Sequence, residues 1–262
     1  MSYELTTLLM KCKVDDFEFI NERIDSYINF TSDSELKKKL GDFKKSAGAT
    51  ERQALAELVE REIRYLGSSD IAYASRHLLG QKPAGVSVHE MVEDVASVLK
   101  VKVRKLGSVE SKLERLVLAV AEKTFFSLSE ADQREMLKRG GAGDDHIDAF
   151  LQKLKRNKAA FLPALLTLLG PEITVGLLQG IVIASLSAFL GKEAAKKLLA
   201  QLLVKFPWWA EWLGPIVWAL SLAWLALDVQ GVAYRKTIPI LLYLGVVALR
   251  DGLDDLDGLE NS

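Results

Sequence analysis

The chain has 262 residues, 49% of them hydrophobic and 26% charged, a balance that argues against disorder and supplies enough apolar sequence for one large core or two small ones. A net charge of -1 argues against a nucleic-acid partner, because phosphate binding needs a clustered basic surface. The single cysteine, Cys12, excludes an internal disulfide and any multi-cysteine metal site.

Met1-Ser2-Tyr3-Glu4 lacks the basic and apolar runs of a signal peptide, so the expected location is cytoplasmic, with association with the inner membrane as a further expectation. Cys12 follows Leu8 and Leu9 on an apolar face and is expected as a buried small hydrophobe. Thr50 with Gln53 predicts a capping box, followed by the stripe Leu55, Leu58, Val59, Ile63 and Leu66 and a stop at Gly67. Ser87 with Glu90 opens a second such helix, carrying Met91, Val92, Val95, Val98 and Leu99. Val101-Lys102-Val103 alternates like a strand but is too short to carry a sheet. Ser108 precedes a helix with Leu113, Leu116, Val117 and Val120 on its apolar face, and Ser129 with Asp132 opens one that ends at Gly140-Gly141. Apolar stripes of this width must be buried against one another. The predicted fold class is therefore all-α, a multi-helix bundle with an apolar C-terminal helical hairpin.

The turn from Gly140 to Asp145 marks the expected boundary. It separates a charged amphipathic region, 1–141, from an apolar region, 142–250, and an acidic disordered tail, 251–262. Residues 173–191 contain no charge and are about long enough to cross a bilayer as a helix, although glycines, serines and Gln179 dilute them. Gly176 and Gly180 form a small-residue pair that permits close helix packing. Residues 192–206 follow as a basic amphipathic helix. Ala195, Leu198, Leu199, Leu202 and Phe206 share one face, with Lys192, Lys196, Lys197 and Lys205 beside it, the pattern of a helix on an anionic membrane or of a helix docked on a core. Trp208, Trp209 and Trp212 mark the handover to the next segment, where interfacial anchors are expected. Two uncharged arms, 213–227 and 238–249, flank a polar elbow containing Asp228, Tyr234 and Arg235. Asp228 and Arg235 stand seven residues apart in an apolar region, where isolated charge is costly and tends to be paired.

Catalytic constellations are scarce. His89 and Glu93 share a helix face at i and i+4, but two ligands do not make a metal site. Asp144, Asp145, His146 and Asp148 suit a helix start. Gly191-Lys192 continues with Glu193 and lacks the spacing of a phosphate loop. No nucleophile–base pair, cofactor site or metal site is expected, and the chain does not read as an enzyme.

The segments Leu222-Ala-Trp-Leu-Ala-Leu-Asp228, Gly231-Val-Ala-Tyr234-Arg235-Lys-Thr237-Ile238-Pro239 and Ala248-Leu-Arg250 resemble the YaaW-like family of uncharacterised bacterial proteins. Further similar patches are Glu62-Ile-Arg-Tyr-Leu-Gly67-Ser-Ser-Asp-Ile71, Val92-Glu-Asp94-Val95 and Leu99-Lys-Val-Lys. Val232 stands where that family commonly has proline, and Ser68-Ser69 replaces a glycine-rich pair. The resemblance implies a bacterial helical protein and no catalytic residues.

The functional expectation is a membrane-active helical protein whose apolar C-terminal helices associate with or insert into a bilayer, as a candidate pore-forming effector. The alternative is a soluble interaction or chaperone-like module with these segments as its core. The expected partner is a lipid membrane, with a protein partner or a second copy of the chain also open.

Overall fold

A computed structural model of the chain describes residues 4–24, 30–46, 48–67, 86–186, 190, 192–211 and 232–251. The described residues form eleven α-helices and no strand, so the chain is an all-α multi-helix bundle. The helices are α1 (Thr6–Leu9), α2 (Val14–Ile24), α3 (Phe30–Ser46), α4 (Ala49–Leu66), α5 (Val88–Val98) and α6 (Val109–Ser127). They continue as α7 (Glu130–Arg139), α8 (Asp144–Arg156), α9 (Phe161–Leu186), α10 (Lys192–Lys205) and α11 (Val232–Ala248). Packing divides the chain into two units, Met1–Leu116 with Val229–Ala248, and Val117–Asp228 with Leu249–Ser262.

Local signals set most of the helix ends. The Ser87 hydroxyl accepts the Glu90 amide, and the Glu90 carboxylate accepts the Ser87 amide, completing the expected box at α5. Ser108 and Ser129 cap α6 and α7 through the amides of Ser111 and Asp132. The box expected at Thr50 does not form. α4 begins at Ala49 with Gly48 as its cap, so Thr50 already lies inside the first turn, and Gln53 donates to Glu57 instead. At the far end of α5 the Lys100 amide donates to Ser97 O and the Val101 amide to Ala96 O, the pair of bonds that closes a Schellman turn. Lys100 therefore occupies the left-handed region, with φ 53°, where glycine is usual.

In the first unit α4 packs on α1, α2, α3 and α11. Leu55, Leu58, Val59 and Ile63 are buried as their spacing predicts, and the crowding also buries Glu60, Glu62 and Arg64. α11 lies among α1, α2, α4 and α5. Every residue from 237 to 248 is buried, which accounts for the lack of a polar face in this helix.

In the second unit Phe125 of α6 meets Phe126, Phe150 and Phe161, with ring centroids 5.7, 6.2 and 5.2 Å away. α9 breaks at Gly170, whose φ of 76° and ψ of 167° interrupt the helical path. The cause is local. Pro171 disfavours the helical region for the residue before it, and glycine alone reaches the resulting conformation without strain. Thr174 Oγ1 donates to Leu165 O at 3.2 Å across the break, tying the second arm to the first.

The expected boundary at 141/142 is not where the packing divides. The division falls at Leu116/Val117, and α11, although part of the apolar region, packs in the first unit. Composition reports how many faces of a helix are buried, whereas packing decides which helices bury them. The hairpin arm 213–227 and residues 252–262 of the tail lie outside the described residues.

Candidate functional site

The apolar segment that most concerns function is the second arm of α9. Every residue from 174 to 186 is buried, and none is charged. Two of its polar members are accommodated locally. Ser185 Oγ donates to Ile181 O at 2.7 Å, and Thr174 bridges the break at Gly170. A helix without a polar face is either enclosed by protein or surrounded by lipid. Here it is enclosed by its own unit.

Part of that enclosure comes from α10 and the 3-10 turn Pro207–Glu211. The Phe206 ring lies directly over Gly176, and the Trp209 indole lies over Gly180, one helical turn further along. A Cβ at either glycine would overlap the ring above it. The glycine pair thus admits two aromatic side chains rather than the backbone of a second helix. Leu198 and Leu202 of α10 are buried on the same apolar face as Phe206.

The two arms of α9 differ in their surroundings. Leu166, Leu168, Leu169 and Ile173 are only half-buried around the break, and Pro163, Thr167, Pro171 and Glu172 are exposed. Taken together, Lys158–Leu186 is the helical stretch among the described residues that is long and apolar enough to cross a membrane. It is not one straight rod. The part after Gly170, residues 171–186, extends about 24 Å at 1.5 Å per residue, short of a hydrocarbon core of about 30 Å.

The expected membrane-surface residues fall into three groups. Lys196 and Lys197 are exposed on α10. Trp209 is fully buried: in this conformation it packs the core against Gly180 and presents no anchor at the surface. The side chains of Lys192, Lys205 and Trp208, and the whole of Trp212, lie outside the described residues. At the polar elbow Tyr234 is half-buried at the start of α11, while Asp228 and the Arg235 side chain are outside the described residues.

The first unit contains buried polar contacts that periodicity did not single out. Glu60 accepts hydrogen bonds from the Glu4 and Leu5 amides and the Thr6 hydroxyl at 2.7, 3.0 and 2.9 Å, tying the start of α1 to α4. Burial pushes the Glu60 carboxyl above 4.5, against the opposing pull of those hydrogen bonds and of Arg64. Asp16 Oδ1 accepts from the Tyr243 hydroxyl at 2.6 Å, and Asp16 Oδ2 accepts from the Lys13 amide at 2.7 Å. Lys112 is buried and donates to Glu93 at 3.0 Å, and that bond holds the Glu93 carboxyl below its ordinary range. Glu93 therefore serves an ion pair rather than a site shared with His89. No sequence periodicity marks these residues, because each occupies a face that only its neighbours bury.

Among the described residues, no three His, Cys, Asp or Glu side chains converge as a metal site would require. Asp144 and Asp148, expected at a helix start, lie in the first turns of α8 and also pair with Lys138 and Arg134. Comparison with known proteins leaves the argument on this geometry: no family model, no curated protein and no solved structure matches the chain.

Proposed function

We propose that the chain is a membrane-active helical protein that keeps an apolar helix enclosed until it meets a bilayer. The observation that carries this reading is the uninterrupted burial of residues 174–186, an uncharged helix with no polar face. Such a helix exchanges its protein surroundings for lipid without losing backbone hydrogen bonds, since these are internal to the helix. α10 provides the means of release. Its apolar face, with Leu198, Leu202 and Phe206, covers α9, while exposed Lys196 and Lys197 suit an anionic surface. Val204, 86% exposed, lies seven residues from Lys197 and so projects from about the same side. Insertion would straighten or tilt α9 at Gly170, extending the short second arm. In this reading the chain is also a relative of the YaaW-like proteins, a kinship that adds a bacterial setting and no activity.

The test uses the full chain with dye-loaded vesicles of phosphatidylserine and phosphatidylcholine, measuring flotation and release over roughly pH 5 to 8, where histidine and perturbed carboxylates titrate. Binding with release of dye is expected. Absence of both under every condition would overturn the proposal and favour an interaction module in which α9 is solely a core helix.

A further inference from the structure

One of the two most exposed large apolar side chains among the described residues is Leu106, 83% exposed, and it stands in a loop whose other outward side chains, Ser108 apart, are basic. Residues 100–108 join α5 to α6. Lys100, Lys102, Arg104 and Lys105 are all exposed, while Val101 and Val103 are half-buried on the alternate side. The loop is braced. Arg115 Nη1 donates to Leu106 O at 2.9 Å, and Gly107 turns the chain at φ 117°. These contacts hold the Leu106 backbone while its side chain stays in water.

The two nearby carboxylates that flank the loop in sequence are bound chiefly to lysines outside it, although Glu93 also feels Lys105. Glu93 binds Lys112 at 3.0 Å, and Glu110 binds Lys11 at 2.7 Å. Lys100 adds a second sign that the loop is more than a connector. It holds a cation in a left-handed conformation at the end of a Schellman turn, where glycine would be free of strain.

We propose that residues 100–108 form a docking loop for an anionic lipid surface, with Leu106 entering the interface and the basic side chains meeting the headgroups. Charge complementarity selects an anionic partner, and the exposed leucine selects lipid over nucleic acid, since an apolar side chain gains by leaving water but nothing by approaching a phosphate backbone. The proposal takes its partner class from the membrane reading but does not depend on insertion of α9. It makes first contact a property of the first unit.

Flotation of the full chain with phosphatidylserine-containing and pure phosphatidylcholine vesicles tests it. Wild type is expected to bind the anionic vesicles and to lose binding as salt rises. Lys102→Gln with Lys105→Gln should weaken partitioning by about twenty-fivefold, from roughly fivefold per lysine. Leu106→Ser should weaken it by about five- to tenfold through lost apolar contact. Lys38→Gln with Lys45→Gln removes the same charge from exposed positions on α3 and should change binding less than about twofold if position rather than net charge matters. Thermal melts of these exposed-site variants check that each is folded. Wild type that fails to float, or loop variants that bind as wild type does, would overturn the proposal. So would binding of short duplex DNA that depends on Lys102 and Lys105 while vesicles are ignored. Loop-dependent flotation without dye release would leave docking in place and sink insertion; release with loop-independent flotation would do the reverse.

Discussion

The Tyr243 hydroxyl donates a 2.6 Å hydrogen bond to Asp16 Oδ1, with both residues buried, so α11 is joined to α2 by a buried polar contact in addition to the bond from Lys236 Nζ to Ile24 O. The Tyr243 ring also lies 4.2 Å from that of Phe19, centroid to centroid. Tyr243→Phe keeps the ring and deletes the donor. The expected loss is about 2 kcal/mol, the range for a buried hydrogen bond to a charged group, read as a lower midpoint in urea with an unchanged slope. Stability equal to wild type would show that Asp16 does not rely on this bond.

Gly180 and Trp209 offer a sharper test of packing. Gly180→Ala forces a methyl into the indole and should cost about 1–3 kcal/mol. Trp209→Leu should relieve the clash, so the double variant should be more stable than the sum of the two single losses predicts. Strict additivity in the urea midpoints would mean that the two residues do not meet as described.

Gly170→Ala has space for its methyl but not a favourable backbone, since φ 76° with ψ 167° belongs to glycine. A cost of about 1–3 kcal/mol is expected in thermal or urea unfolding. Pro171→Ala instead removes the restraint on residue 170, so that variant should release vesicle dye faster than wild type if α9 straightens on insertion. Slower release by Pro171→Ala would argue against straightening.

Glu60 predicts a direction of pH dependence. Its folded carboxyl titrates above the ordinary 4.5, so between the two values the folded chain binds the extra proton. The stability it contributes is present below 4.5 and is lost as pH rises through the raised folded value. Glu60→Gln removes this titration. The stability of wild type relative to the variant should therefore fall as pH climbs above 4.5, measured by urea unfolding at a series of pH values. A difference independent of pH would contradict the assignment to Glu60.

Lys100→Gly should stabilise the first unit by about 1 kcal/mol by relieving the left-handed lysine. It should also weaken flotation on anionic vesicles, since a loop cation is lost. A variant that is more stable and binds equally well would separate the turn from docking.

The amino-acid sequence alone determined the helical class and many of the helix ends, because apolar spacing and caps such as Ser87 with Glu90 are set within a few residues. It also marked 173–191 and 238–249 as uncharged, largely apolar segments. What those faces meet was decided only in three dimensions. Gly176 and Gly180 read as a helix-pairing motif, yet they receive Phe206 and Trp209. Trp209 read as an interfacial anchor, yet it fills the core. Glu60, Asp16 and Lys112 had no signal at all, since a polar residue on a second buried face looks like a solvated one until its partner arrives from elsewhere in the chain. Helix periodicity records one preferred face per helix. The tertiary structure decides how many other faces are covered, and by which residues.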